Sequence, residues 1–271
     1  MNSAQSTAHQ VNNNKWFERL VRVGLASYGI VHLLIGWLAL QLAFGDSSGA
    51  PDQEGALHQI AAEPYGEVLL WVIAVGLFAM AAWQAIEAFV GHSGRDNPKR
   101  TFKRVTSGGK ALIYTALALS SAKTALESTS KSASKDSMTA KLMGLPFGRF
   151  LVLAVGLVIV GVGVALVVKG AKQKFKRDLE ARATSGHSGS TVVRLGQVGY
   201  IAKGVALGVV GGLFVWAAAT YDADKAGGLD VALRKLLDTG VGPWLLALVA
   251  AGIVCFGAFC FAWAWYADTQ S

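Results

Sequence analysis

Ionisable and polar side chains inside long apolar runs are the strongest candidates for chemistry in this sequence. His32 lies within "YGIVHLLIG", Glu87 follows "AAWQAI", and Lys203 lies within "GYIAKGVALG". Tyr114 and Gln84 lie in two further positions of the same kind. An ionisable group inside a membrane span is a functional hypothesis by default, because such a group is costly there. These five residues therefore form a candidate intramembrane polar site.

His32 has a structural and a functional interpretation. The other four histidines lie in the tail or between the apolar runs, so a bis-histidine haem site is not supported. As a structural residue, His32 is neutral and hydrogen-bonded to a backbone carbonyl or to a hydroxyl on a facing helix. As a functional residue, it handles a proton or another ion. No cofactor is expected in either case.

Glu87 and Lys203 also have two interpretations each. Glu87 lies about one turn before the end of its apolar run, where it forms an interfacial salt bridge or faces the bundle beside Tyr28 or Arg22. Lys203 extends its charged end to the membrane surface, or pairs with Glu87 or a lipid phosphate.

Recognisable catalytic and metal-binding patterns are missing from the sequence. The glycine-rich runs lack the "GK[ST]" ending of a nucleotide-binding loop, and no set of residues has metal-ligand spacing. Cys255 and Cys260 are five residues apart, so they point in different directions on a helix. We therefore expect no catalytic residues, no metal site and no enzymatic activity.

The composition of the whole chain indicates a membrane protein. Of 271 residues, 53% are hydrophobic and 15% are charged, whereas soluble domains carry about 25% charged residues. Six runs approach the roughly 20 residues needed to cross a bilayer. The weakest is the third, because Lys110 and Lys123 interrupt it. The predicted spans are about 23–44, 67–90, 108–126, 149–168, 196–219 and 243–266.

The distribution of lysine and arginine predicts the orientation of these spans. Alternate loops, starting with the N-terminal tail, contain 15 of these residues, against 7 in the others. Basic loops stay in the cytoplasm, so we expect a multi-pass protein of the bacterial plasma membrane with both termini inside. The run "KQKFKR" at 172–177 is then a topology determinant, and no nucleic-acid partner is expected.

The chain also contains one unit three times. The segments "RVGLASYGIVHLLIG", "RVTSGGKALIYTALA" and "RLGQVGYIAKGVALG" align without gaps. The predicted division is a tail (1–15) followed by repeats 16–92, 93–182 and 183–271. Three two-span units with one orientation predict an all-α bundle with a pseudo-threefold axis along the membrane normal. His32 aligns with Tyr114 and Gly204, so it cannot belong to a threefold-symmetric site.

A short amphipathic helix and a glycine turn are predicted between the two spans of each repeat. Apolar or matching positions three residues apart precede each turn, and they are Leu57 and Ile60, Thr139 and Leu142, and Leu233 and Leu236. Gly66, Gly148 and Gly242 follow, and glycine permits a positive φ at a turn.

The run "GVALGVVGG" contains Gly204, Gly208 and Gly212 at intervals of four. This double GxxxG pattern predicts close helix packing. The partner is a neighbouring span of the same chain or, in a homodimer, a second copy.

The sequence resembles a bacterial family of membrane proteins built from three copies of a two-helix domain of unknown function. The matching elements include Arg22, Gly24 and Gly36 in the first copy, their counterparts Arg194, Gly196 and Gly208 in the third, and "PYG" and "PFG" at 64–66 and 146–148. The resemblance implies a six-span inner-membrane protein and no known activity. Thr106, Lys110 and Val241 depart from the shared pattern.

Two functions remain open at this point. The first is a non-enzymatic accessory, scaffold or lipid-interacting bundle, with membrane lipids, another membrane protein or itself as partner. The alternative is a small-solute or ion transporter or channel with a pathway near the pseudo-threefold axis. The direction in which the five candidate polar residues point distinguishes the two.

Overall fold

A computed structural model provides the structure, and it describes residues 15–45, 49–89, 97–126, 147–179, 186–220, 222, 226, 228–237 and 240–266. The described part is all-α and contains eight α-helices and one short 3-10 helix, Lys174–Asp178. The α-helices are α1 (Lys15–Ala43), α2 (Gln53–Ala61), α3 (Gly66–Phe89), α4 (Asn97–Leu126), α5 (Gly148–Ala171), α6 (Gly186–Thr220), α7 (Leu229–Leu237) and α8 (Gly242–Tyr266).

Five of the described helices are long and apolar enough to cross a membrane. They contain the segments Val21–Ala43, Gly66–Phe89, Gly148–Ala171, Gly189–Thr220 and Gly242–Tyr266. The remaining long helix, α4, contains the third predicted span. At 1.5 Å per residue its 30 residues reach about 45 Å, but its composition is too polar to place it with the other five. The fold is consistent with a multi-pass membrane protein.

The long helices pack mainly on their neighbours in the sequence, and the last long helix closes the arrangement on the first. Helix α3 packs on α4, α5 packs on α6, and the last helix, α8, returns to pack on α1. Helix α1 also packs on α3, and α6 on α8. The contact between α8 and α1 brings the two ends of the chain together and creates the interface that holds the candidate site.

Glycines allow these helices to approach at backbone distance. A Cβ atom added to Gly24 in α1 would lie 2.2 Å from the carbonyl oxygen of Gly76 in α3. A Cβ atom on Gly29 would lie 3.0 Å from the carbonyl oxygen of Gly257 in α8. Small residues are typical of membrane helix interfaces because they permit such contacts.

The predicted amphipathic helices are present in the first and third repeats as α2 and α7. Asp52 caps α2, since its side chain accepts a 2.8 Å hydrogen bond from the Gly55 amide. Leu57 and Ile60 of α2 are buried, as is Leu233 of α7, while Leu236 is half-buried. The corresponding positions of the second repeat, Thr139 and Leu142, lie outside the described residues.

The glycines that begin the second helix of each repeat act differently from our expectation. Neither Gly66 nor Gly242 has a positive φ. In the second repeat, the residue with a positive φ is Phe147, at 65°, directly before Gly148. A Cβ atom on Gly66 would lie 1.9 Å from the Ile60 carbonyl oxygen. On Gly242 it would lie 2.3 Å from the Leu237 carbonyl oxygen. These two glycines do not use the positive φ that glycine permits, and they are needed because α2 and α7 end too close to them for a side chain to fit.

Candidate functional site

Lys203 joins α6 to α1 through two polar contacts. It lies near the middle of the span Gly189–Thr220, and its Nζ atom donates a hydrogen bond to the Tyr28 hydroxyl. The same Nζ atom lies 2.9 Å from Nε2 of His32. Lys203 therefore points to a facing helix and does not extend to the membrane surface, as one interpretation of the sequence had it. Among the described residues, its partners are two residues of the first repeat and not Glu87.

His32 is held between Lys203 and its own helix. It is buried, with 4% of its surface exposed, and its Nδ1 atom lies 2.8 Å from the backbone carbonyl oxygen of Tyr28. A carbonyl oxygen only accepts hydrogen bonds, so Nδ1 must carry a hydrogen. The Nε2 atom is then the one that faces Lys203, and in the neutral imidazole it accepts a hydrogen bond from the amine.

Aromatic rings form the walls around the amine of Lys203. Its Nζ atom lies 4.2 Å from the ring centre of Phe256, which α8 contributes, and 4.5 Å from that of Tyr28. The ring centres of His32 and Phe256 are 4.9 Å apart. A cation above aromatic rings gains about 0.5–2 kcal/mol per favourable contact. Tyr28, His32, Lys203 and Phe256, which we call the Lys203 cluster, thus combine groups from α1, α6 and α8.

Two further tyrosines surround the Lys203 cluster. Tyr114 of α4 meets Tyr28 edge to face, with ring centres 5.6 Å apart. Tyr200 lies one turn before Lys203 and meets Phe256 in the same way at 5.2 Å. Lys169 of α5 lies over the Tyr200 ring at 4.7 Å. The aromatic contacts continue from the cluster toward α4 on one side and α5 on the other.

The hydrogen bonds of the Lys203 cluster can be satisfied in two protonation states. As an ammonium, Lys203 donates to both the Tyr28 oxygen and Nε2 of His32. As a neutral amine, it still donates to Nε2, and its lone pair accepts the hydroxyl hydrogen of Tyr28. The Nδ1 hydrogen of His32 remains on the Tyr28 carbonyl throughout. The cluster can therefore lose or gain one proton while every heavy atom keeps its hydrogen-bond partner.

Among the described residues, no carboxylate bonds to Lys203 or His32. A neighbouring carboxylate would favour the ammonium at all times, because opposite charges at a few ångströms attract strongly in a medium of low dielectric constant. Within the same residues, no three His, Cys, Asp or Glu side chains are grouped as metal ligands. Proton exchange between the amine and its two partners is one chemistry that this arrangement permits.

Gln84 and Glu87 do not belong to the Lys203 cluster. Both lie on α3, where Gln84 is buried and Glu87 is half-buried. Neither is among the residues that bond to Lys203 or His32 or stack on their neighbours. Tyr28, one of the two partners expected for Glu87, is instead engaged by Lys203. Of the five candidate polar residues, the structure brings together His32, Lys203 and Tyr114.

The patterns in the sequence predict Tyr28 only as a partner of Glu87, and they do not predict Phe256 as a member of the site. One signal for Tyr28 was available, since it precedes His32 by four residues and aligns with Tyr200 in the third repeat. Residues four apart lie on the same face of a helix. Phe256 has no comparable signal, because it is one of several phenylalanines in a uniformly apolar run.

The glycines of α6 pack only in part as the double GxxxG pattern predicts. A Cβ atom on Gly204 would lie 2.6 Å from the carbonyl oxygen of Gly163 in α5, and Gly163 also approaches the Gly208 backbone. Gly212 is exposed and has no such neighbour within 4 Å in the part of the chain that the structure describes, whereas Gly211 approaches α5. Seven residues make nearly two full turns and eight overshoot by about 80°, so the interface continues from Gly204 to Gly211.

Comparison with known proteins finds one family that matches three segments of this chain. Residues 23–91, 105–173 and 198–267 each match the family described as Domain of Unknown Function (DUF1206). The uncharacterized protein YxxB of Bacillus subtilis (strain 168) is 26% identical over 245 residues, which cover 90% of this chain and 89% of that protein. No solved structure matches. The three matches confirm the predicted threefold repetition and the resemblance to a bacterial repeat family.

Proposed function

We propose that this chain, which belongs to the family described as Domain of Unknown Function (DUF1206), is a non-enzymatic protein of the bacterial plasma membrane that moves protons through the Lys203 cluster. One observation carries the proposal. Lys203 contacts a hydroxyl and an imidazole nitrogen at mid-span, and both can exchange a proton with it without loss of hydrogen bonds. A lysine that only fixed two helices together would not need a partner that can also donate.

The transporter alternative gains support from the placement of the polar residues. His32 and Lys203 lie near the middle of two spans and face each other, and Tyr114 joins them through Tyr28. A cation at the centre of a membrane helix costs about 2.5–3.5 kcal/mol in insertion experiments. A residue that carries such a cost ordinarily has a function, which favours ion handling over a purely structural role.

The accessory or lipid-interacting function has a separate observation in its favour. In the most apolar window of α5, only 17% of the residues are buried, against 44–56% in the other four candidate spans. Val158, Val162 and Val164 are among its exposed residues. This helix face is available for lipids, for another membrane protein or for a second copy of the chain. The two functions are compatible, since one uses the interior of the bundle and the other its surface.

Proton flux into liposomes tests the proposed function. The purified full chain is reconstituted into potassium-loaded vesicles, and valinomycin creates an inside-negative potential that draws protons inward. We expect quenching of a pH-sensitive dye at a rate clearly above that of protein-free vesicles. A rate equal to that of protein-free vesicles would overturn the proposal.

We further propose six spans arranged around a pseudo-threefold axis, with α4 as the third span. The three pairs α3–α4, α5–α6 and α8–α1 support this arrangement, because each joins the second long helix of one repeat to the first of the next. Lys110 is exposed, so its long side chain can reach the interface from within the span. The polar side chain of Ser121 is satisfied inside the protein by a 2.8 Å bond to the Leu70 carbonyl.

The pseudo-threefold arrangement predicts an ion pair between Glu87 and Lys110. These residues align with Lys169 and Tyr200, which contact each other between α5 and α6. Helices α3 and α4 are close at the same level, since a Cβ atom on Gly108 would lie 4.0 Å from that of Ala88. We expect Glu87→Lys or Lys110→Glu alone to lower the free energy of unfolding by about 1 kcal/mol. Titration with SDS in mixed micelles measures this quantity.

The matched control is the double charge reversal. Glu87→Lys combined with Lys110→Glu restores the attraction with its direction reversed, so we expect most of the stability to return. Additive losses in the double variant would show that the two residues do not pair, and would remove the support that this interface gives to the pseudo-threefold arrangement.

The proposed orientation predicts opposite labelling of two positions, Ser48 and Ser188. In a background in which Cys255 and Cys260 are replaced by alanine, Ser48→Cys should react with a membrane-impermeant maleimide in intact cells. Ser188→Cys should react only after the membrane is opened, because it lies near the start of α6, which follows the basic segment that stays inside. Equal labelling of the two positions in intact cells would contradict the six-span topology.

A further inference from the structure

A strongly basic turn follows the most exposed span, α5. The segment "KQKFKRDL" at 172–179 begins directly after the end of α5 and contains a 3-10 helix. Its four cationic side chains, Lys172, Lys174, Lys176 and Arg177, are all exposed. Phe175, in the middle of the same segment, is 0% exposed. The turn therefore inserts one aromatic ring into the protein and displays four positive charges around it.

Phe175 attaches this turn firmly to two other helices. Its ring stacks on Tyr200 of α6, with ring centres 5.4 Å apart, and meets Phe259 of α8 edge to face at 5.2 Å. Gly196 makes room for the ring, since a Cβ atom there would lie 2.6 Å from it. Because the ring is enclosed on several sides, the flanking cations have a fixed position relative to the bundle.

The backbone conformation and the side chain of Gln173 hold the start of the turn. Gln173 has a left-handed conformation with φ at 50°, which reverses the chain after α5. Its Nε2 atom donates a 3.2 Å hydrogen bond to Oε1 of Gln197 in α6. A left-handed conformation in a residue other than glycine is uncommon and persists where the surrounding structure stabilises it. The turn is thus held at two positions, Gln173 and Phe175.

The position of the turn relates its charges to the membrane. Helix α5 is a candidate span with exposed apolar side chains along its length, including Val164 and Val168 near its end. Charges that follow directly after such a helix lie at the level of the lipid headgroups. A lysine or arginine at an anionic membrane surface contributes about 1 kcal/mol of attraction. Four of them on one anchored turn concentrate positive charge at this level.

We propose that this basic turn, formed by Lys172, Lys174, Lys176 and Arg177 around Phe175, binds the phosphate headgroup of an anionic phospholipid. The lipid's acyl chains then lie along the exposed face of α5. The ligand belongs to the membrane that surrounds the protein, and the proposal rests on the membrane location but not on proton movement. The site specifies the lipid-interacting function and assigns it to one surface.

Lipid retention by the purified full chain tests the proposal. The protein is solubilised in detergent with equal amounts of phosphatidylglycerol and phosphatidylcholine, and native mass spectrometry counts the lipids that remain bound. We expect the wild type to retain phosphatidylglycerol preferentially. The triple variant Lys174→Gln, Lys176→Gln and Arg177→Gln should reduce this preference at least about tenfold, given the contribution of each cation.

A charge-matched variant serves as the control. Arg19→Gln, Lys103→Gln and Lys123→Gln remove three exposed cations from α1 and α4, so net charge falls equally. This variant should retain phosphatidylglycerol as the wild type does. Equal retention of phosphatidylglycerol by the two triple variants would overturn the proposal. A wild type that shows no lipid preference would also overturn it, and binding of a labelled single-stranded oligonucleotide would then assign the basic turn to nucleic acid.

A variant of Phe175 separates the fixed geometry of the turn from its charge. Phe175→Ala keeps all four cations but removes the ring that positions them, so we expect the lipid preference to fall several-fold. Phe175→Leu keeps an apolar side chain in the same space and should restore most of it. A preference that is unchanged in Phe175→Ala would show that the charges act without the anchored turn, contrary to the proposed site.

Discussion

Replacing Lys203 by methionine is expected to reduce proton flux in proteoliposomes to the rate of protein-free vesicles. Methionine keeps the length and the apolar stem of lysine but cannot carry a proton. Tyr28 and His32 then lose the group that lies between them, and the chain of exchangeable hydrogens is broken. The dye-quenching assay measures this change directly, and flux at the wild-type rate would exclude Lys203 as the proton carrier.

Two companion variants distinguish proton exchange from a structural role of Lys203. Lys203→Arg keeps a positive charge and its donors, but arginine does not deprotonate in proteins, so flux should also stop although the charge remains. Lys169→Met removes another lysine that lies over aromatic rings but outside the Lys203 cluster, and flux should persist. Flux in the arginine variant, or its loss in both methionine variants, would contradict proton exchange at this amine.

The positions of the helices follow from the sequence because they depend on local composition. The apolar runs at 67–90 and 243–266 coincide closely with Gly66–Phe89 and Gly242–Tyr266. Helix α6 begins earlier than the predicted span at 196, since "GHSGSTVVRL" continues the helix although it is not apolar enough to predict a span. Hydropathy thus indicates where a chain can cross the membrane, but the helix itself extends as far as its hydrogen bonds do.

The sequence could not predict in which direction the side chain of Lys203 points. A lysine near a helix end and a lysine facing another helix have the same local pattern. The partner in this case, His32, lies 171 residues away and becomes a neighbour only because α8 returns to α1 and places both beside α6. Repeat alignment indicates that His32 has no symmetric counterpart, but it does not indicate which interface contains it.

A glycine packed between helices and an exposed glycine of the same motif are expected to differ strongly when each is changed to alanine. Gly204→Ala would place a Cβ atom 2.6 Å from the Gly163 carbonyl oxygen and 2.8 Å from the Val167 amide nitrogen. Both are backbone atoms, so α5 and α6 must move apart. Inserted methyl groups in tight interiors cost about 1–3 kcal/mol, and we expect about 2 kcal/mol or more in an SDS unfolding titration.

Gly212→Ala is the matched control, with the same substitution eight residues along the same helix. Among the described residues, no atom lies within 4 Å of the added methyl group apart from the helix's own backbone and chain neighbours, and alanine stabilises a helix by up to about 1 kcal/mol relative to glycine. Stability should therefore stay equal or rise slightly. Equal losses at Gly204 and Gly212 would mean that a second copy covers the exposed side of α6, which is the homodimer that the double GxxxG pattern left open. A loss at Gly204 alone assigns the motif to the α5–α6 interface within one chain.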